Sequence, residues 1–114
     1  MILDQRIEEV FVEKESLLAE LSGDLDIPAI NATQRNGKLL ATNKRLLFFC
    51  NVDNQLRYDS FYYEKIDRIA VRRSFRNEQR LLFEADDEIQ MLHNIKNIED
   101  IEHFLEIVEN QLKK

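Results

Sequence analysis

Apolar residues follow two spacings along this chain. In the middle they form short runs or alternate with polar residues; at both ends they recur every three or four positions. The densest part is the middle. Leu39-Leu40-Ala41 and Leu46-Leu47-Phe48-Phe49-Cys50 are brief apolar runs separated by Thr42-Asn43, with Gly37 in front. Runs of this length read as strands, and a Thr-Asn step reads as a tight turn, because Asn tolerates left-handed backbone angles and short polar side chains close turns. The pattern predicts a central β-hairpin.

Strands continue after it. Asn51–Asn54 is a polar turn, and 55–62 alternates, with Leu56, Tyr58 and Ser60 on one face and Arg57, Asp59 and Phe61 on the other. Aromatic and β-branched residues suit such a pleated surface. After a break at Tyr63-Glu-Lys65, residues 66–75 put Ile69, Val71 and Phe75 on one face and Arg68, Ala70, Arg72, Ser74 and Arg76 on the other. Arg73 falls on the apolar face by this count, which predicts a bulge or the end of the strand there. Residues 80–85 form another strand facing Leu81, Phe83 and Ala85 inward; Asp86-Asp87 turns, and 88–93 forms the last strand, with Ile89 and Met91 inward.

The ends carry helical spacing. Leu3, Ile7, Val10 and Phe11, with Asp4, Glu8, Glu9 and Glu13 between them, predict an amphipathic helix over roughly 2–14. Leu17, Leu18 and Leu21 extend its stripe; the alternative is a strand with Leu17, Ala19 and Leu21 facing one way, and periodicity leaves both open. Residues 24–36, with Pro28, read as a loop that has room for one short extended piece. At the other end Ile98, Ile101, Leu105, Val108 and Leu112 step by three and four over roughly 98–112, with Asn97 placed to cap through its side chain. Hairpin-linked strands give an antiparallel sheet that must be closed or covered at its edges, and a helix with a wide apolar stripe suits an open barrel end.

That order resembles the pleckstrin-homology-like (PH-like) barrel, and particular residues sharpen the likeness. Gly37-x-Leu39-Leu40-x-Thr42-Asn43-x-Arg45-Leu46-Leu47-Phe48 is similar to the central signature of bacterial PH-like domains of YokE type. There the hairpin follows a Glu-Leu-Leu segment and precedes a Tyr-x-x-Ile turn; Glu15-Ser-Leu17-Leu18 and Tyr63-Glu-Lys-Ile66 stand in those places. The resemblance spans roughly residues 15–112. It implies an α+β, mostly β chain: about seven antiparallel strands in two near-orthogonal sheets, the first over 16–22, with the C-terminal helix across one corner. The expected organisation is a single PH-like domain, with an extra N-terminal helix over 1–14, the barrel over 15–94 and the capping helix over 97–113. Some bacterial relatives form ring oligomers, which makes assembly an expectation here too.

Composition changes the picture in two ways. The chain has 114 residues, 44% of them apolar, enough for one ordinary core. No apolar run approaches the roughly 18 residues of a membrane span, the N-terminus lacks signal-peptide character, and the lone Cys50 fits a reducing compartment, so a cytoplasmic location is expected. The net charge of −6 is segregated: residues 1–30 carry −6, residues 31–83 carry +6 and residues 84–114 carry −6. A basic middle between acidic ends suggests pairing within the chain or between copies, and the acidic total excludes loose charge-driven binding to nucleic acid.

Catalytic chemistry has little to stand on. His93 and His103 have no ligand set at metal spacing; Cys50 ends an apolar strand; Asp86-Asp87-Glu88 reads as a turn; two glycines cannot build a phosphate-binding loop. No enzyme, metal site or cofactor is expected. The best constellation is Arg68, Arg72, Arg76 and Arg80, to which two readings apply: a solvated face paired with the acidic helices, or an anion-facing patch. Arginine's planar fork grips carboxylates in pairs, so the patch fits an acidic protein surface. Anionic lipid is the alternative, opposed by the acidic ends; phosphoinositide binding is not expected, because residues 14–30 are acidic where eukaryotic PH domains cluster lysine and arginine. The functional expectation is a protein-interaction module, self-assembling or docking a partner, with Leu3, Ile7, Val10 and Phe11 as a candidate assembly helix.

Overall fold

A computed structural model describes residues 5–26 and 35–114. Their elements run α1 (Gln5–Glu8), β1 (Leu17–Asp26), β2 (Arg35–Thr42), β3 (Arg45–Val52), β4 (Gln55–Tyr62), a 3-10 turn (Tyr63–Lys65), β5 (Ile66–Arg73), β6 (Gln79–Ala85), β7 (Glu88–His93), a second 3-10 turn (Ile98–Asp100) and α2 (Ile101–Leu112). The seven strands make one antiparallel sheet in the order β4-β3-β2-β1-β7-β6-β5. The sheet is not closed, contrary to the expected barrel: β4 and β5 remain edges, and the pairing is one continuous sheet rather than two. It does curl over a shared core. Phe61 on β4 and Phe83 on β6, distant in strand order, meet edge to face with ring centroids 5.0 Å apart. β1 makes the curl by pairing with β2 along most of its length and with β7 only through Asp24–Asp26.

The central hairpin is apolar on both faces, which is why its runs are continuous rather than alternating. Leu39, Ala41, Leu46 and Phe48 point into the main core with Leu21, Leu25, Phe83 and Leu92. Leu40, Leu47 and Phe49 point the other way and are covered by Ile7, Val10, Phe11, Leu17 and Leu56. α2 closes the inner side through Ile101, Phe104 and Val108. Gly37 is required where the hairpin is tightest, since a Cβ there would lie 1.9 Å from the Phe49 carbonyl oxygen.

Several expectations need correction. Among the described residues the N-terminal helix spans Gln5–Glu8 and so ends well before residue 14, and Leu3 lies outside the described residues. The Val10 carbonyl is bonded by Arg45, the Lys14 carbonyl by Asn43, and Lys14 has φ 65°, so the backbone beyond Val10 is committed elsewhere. The open segment is a strand from Leu17, but a bulge between Leu17 and Ala19 sends Leu17 outward and leaves Ala19 and Leu21 inward. Within the expected loop over 24–36, β1 runs to Asp26 and β2 starts at Arg35, while Pro28 lies outside the described residues.

The turns divide by chemistry. Asp53-Asn54 and Asp86-Asp87 have positive φ at both positions, the geometry that suits a two-residue hairpin. The central turn falls on Asn43-Lys44, and Asn43 is not left-handed. Its role is carried by its amide: Oδ1 accepts from Ser16 N at 2.7 Å and Nδ2 donates to the Lys14 carbonyl at 2.9 Å. β5 ends at Arg73, as the misplaced arginine predicted, and Phe75 lies in the following turn, 95% exposed. β7 has the opposite phase from that expected: Gln90 and Leu92 are buried, while Ile89 is exposed and Met91 half-buried. Pairing Leu81 with Leu92 and Phe83 with Gln90 sets that phase. Asn97 makes no helix cap; it accepts from Ser22 N and donates to the Glu20 carbonyl, tying β1 to the last connection.

Candidate interaction surfaces

The most deeply buried ion pair among the described residues joins the N-terminal segment to the hairpin. Arg45 grips Glu15 with two parallel bonds of 3.0 Å, Nε to Oε2 and Nη2 to Oε1. Its other hydrogens go to the Val10 carbonyl at 3.1 Å, Ser60 Oγ at 3.0 Å and Tyr62 Oη at 3.4 Å, and its guanidinium lies over the Tyr62 ring. Glu15 also accepts from Thr42 Oγ1 at 2.7 Å and Val12 N at 3.0 Å, while Tyr63 Oη donates to the Thr42 carbonyl at 2.6 Å. Burial alone would push the Glu15 carboxyl up; the bonds from Arg45, Thr42 and Val12 outweigh it, and the group sits below its ordinary value. The bond to Glu15 raises Arg45, and burial, helped by the Glu15 charge, raises Tyr63. Every partner is satisfied, so this node anchors rather than reacts. Glu15, Thr42, Asn43, Arg45 and Tyr63, far apart in sequence, meet here, and the signal was visible: charged residues bordering otherwise apolar runs.

Three of the four candidate assembly residues are also spent within the chain, Leu3 lying outside the described residues. Ile7 is buried on the outer face of β2 and β3, and Val10 and Phe11 pack beside it.

The arginines divide. Arg68, Arg72 and Arg80 share the outer face of β5 and β6, whereas Arg76 lies in the turn beyond β5, its guanidinium 5.5 Å from the centre of the Phe75 ring. Register lays out that face in rows. Arg68 stands opposite Glu84 and then Ile89; Ala70 opposite Leu82 and then Met91; Arg72 opposite Arg80. The Arg68–Glu84 ion pair, at 3.1 Å, neutralises one corner. At the other corner two arginines are cross-strand neighbours, a repulsive arrangement in isolation. Arg72 bonds only its own strand's Val71 carbonyl at 3.5 Å among the described residues. Arg80 reaches Glu78 at 3.8 Å, and its buried Nε has no acceptor among them. Between the corners lies a depression of about 220 Å³, floored by Ala70, Leu82 and Ile89. Leu82, Ile89 and Met91 were not anticipated as part of this surface, because the assumed phase of β7 turned two of them inward.

Other candidate chemistry is dispersed. A cleft of about 590 Å³ runs beside Ile7, Lys38, Phe49, Leu56 and Lys96. His93 Nε2 lies 3.1 Å from Asp26 Oδ2, His103 is exposed on α2, and Cys50 is buried in the core. Oxygens of Asp67, Glu84 and Asp87 lie within 4.8 Å of one another, two of the three side chains being exposed. No helix among the described residues is long and apolar enough to cross a membrane.

A family model described as Bacterial PH domain matches residues 11–110. The chain belongs to that family. Solved structures share the fold of this bacterial PH domain at low identity. A DUF1696 family protein with a pleckstrin-homology domain from Shewanella loihica aligns at 16% identity and TM-score 0.68, covering 95% of this chain and 88% of that one. The PH domain from Shewanella amazonensis aligns at 12% identity and TM-score 0.64, over 96% and 95% of the two chains. The Vps36 N-terminal PH domain aligns at 14% identity and TM-score 0.70, over 92% and 87%. No curated protein matches this bacterial PH domain.

Proposed function

We propose that this bacterial PH domain is a non-catalytic interaction module of YokE type, acting in the cytoplasm, that docks a protein partner or a second copy, and that the arginine-rimmed outer face of β5–β7 is a docking surface. One observation carries the reading. The outer face of β2 and β3 is covered by the chain's own N-terminal segment, while among the described residues that of β5–β7 stays open, with apolar side chains beside Arg72, which has no carboxylate partner there, and Arg80, whose Nε has no acceptor and whose neighbour Glu78 stands 3.8 Å away. That chemistry fits a segment pairing carboxylates with apolar side chains.

The test is fluorescence anisotropy with a labelled peptide alternating glutamate and leucine. Binding that weakens with salt and drops at least about tenfold in an Arg72→Glu/Arg80→Glu variant supports the reading, since a buried charged contact is worth more than one factor of ten. Binding unchanged in that variant contradicts it.

A second reading rests on Phe75, exposed beside Arg73 and Arg76. An aromatic tip ringed by arginines suits anionic lipid, each basic residue near the surface contributing about 1 kcal/mol. It predicts salt-sensitive co-sedimentation with phosphatidylglycerol vesicles that Phe75→Ser abolishes.

A further inference from the structure

We infer that the free edge of β4 pairs with β4 of a second copy about a two-fold axis through Tyr58; this rests on reading the chain as an interaction module and names one partner. β4 is a terminal strand of the sheet, eight residues long, with β3 on one side and, among the described residues, no strand on the other. An edge of that length presents a row of unpaired backbone donors and acceptors, which proteins blunt or use. Its surroundings are open: Tyr58 is 48% exposed and Tyr62 49%.

The sequence of β4 selects the register. A two-fold axis perpendicular to the sheet keeps each side chain on its own face, so residues facing each other must share a face. That leaves registers centred on a residue. Centring on Arg57 stacks Arg57 on its own copy, and centring on Asp59 stacks two carboxylates. Centring on Tyr58 places Arg57 opposite Asp59 of the second copy, twice, and lays Tyr58 against its own copy on the opposite face. Opposite charges and paired aromatics directly across antiparallel strands are favourable, and like charges are not. Asp59 can serve the contact, because Arg35 bonds it through Oδ2 and leaves Oδ1 for a second donor.

The other edge is unsuited to the same pairing. β5 carries Arg68, Arg72 and Arg73 against one acidic residue, Asp67, and centring it on Ala70 sets Arg68 against Arg72 of the second copy. The two edges thus differ in kind: β4 complements itself, β5 repels itself.

The test is solution mass by light scattering at roughly 100 µM chain, since a strand-edge contact is smaller than a standard interface. The native chain should give twice the 13.6 kDa of one copy. Arg57→Asp leaves β4 with two carboxylates in the contact, and Asp59→Arg leaves it with two arginines; each variant alone should be a monomer. The two mixed should form a heterodimer, and the Arg57→Asp/Asp59→Arg double variant should dimerise again. Amide hydrogen exchange of native β4, slower at high chain concentration than at low, gives the same answer without a variant. A native monomer whose β4 exchange ignores concentration, a dimer indifferent to both substitutions, or an assembly of three or more copies would overturn the inference. The glutamate–leucine peptide separates the two readings: if it still binds Arg72 and Arg80 in a monomer, self-pairing fails and docking stands.

Discussion

Arg45 would be costly at the start of a buried strand if it stood alone. It is tolerated because Glu15 meets it bidentately and because the Val10 carbonyl and Ser60 take its remaining hydrogens. Removing one partner of such a pair strands the other charge, so Arg45→Ala should lower unfolding free energy by about 3–5 kcal/mol, measured by denaturant titration. Glu15 adds a pH dependence. Its folded carboxyl titrates below its unfolded value, so its stabilisation is fully present above the ordinary carboxylate range near ~4.3 and is lost as pH falls through the lower folded value. Glu15→Gln should therefore be less stable than the native chain at neutral pH, and the gap should narrow as pH drops below about 4. A gap that stays constant with pH would remove the carboxylate from the account. These residues were legible as a motif in the sequence, but not their meeting: Glu15, Arg45 and Tyr63 belong to separate elements, and only the fold of the strap over the hairpin joins them.

At the scale of elements, β7 shows where pattern reading fails. Glu88–His93 contains Met91 and Leu92 side by side, so alternation alone fits two phases. The register with β6 decides, placing Leu92 beside Leu81 in the core. Leu92→Ala should cost about 2–5 kcal/mol, while Ile89→Ala should cost less than about 1, and comparing the two by thermal denaturation checks the phase directly. The N-terminal segment shows a different limit. Its apolar spacing was legible, but a helix that ends at Glu8 and is followed by a side-chain-tethered strap has the same spacing as a longer helix. Ile7→Glu should uncover Leu40, Leu47 and Phe49, lowering the melting temperature and raising binding of a hydrophobic dye; an unchanged melt and no dye response would mean that Ile7 contributes little to the covering. By contrast, the hairpin order and the C-terminal helix were readable, because each rests on a local pattern that tertiary packing reinforces, while the count of seven strands came from the family resemblance.

Across the whole molecule, the segregated charge acquires a partial explanation. One acidic residue of the N-terminal third neutralises Arg45, Glu84 neutralises Arg68 and Glu78 reaches Arg80 at 3.8 Å, but Arg72 has no carboxylate partner among the described residues. The sheet is covered on one half of its outer face and open on the other, and this asymmetry, more than any single residue, supports an interaction module. It was hidden in the sequence because the covering segment and the open face carry similar apolar content. The most direct measurement is an amide-resolved NMR titration of the chain with the glutamate–leucine peptide. The account predicts chemical-shift changes concentrated on β5–β7 around Arg72, Arg80, Leu82 and Ile89, and their loss in the Arg72→Glu/Arg80→Glu variant. Shifts centred on the cleft beside Lys38 and Lys96, or none at saturating peptide, would contradict it.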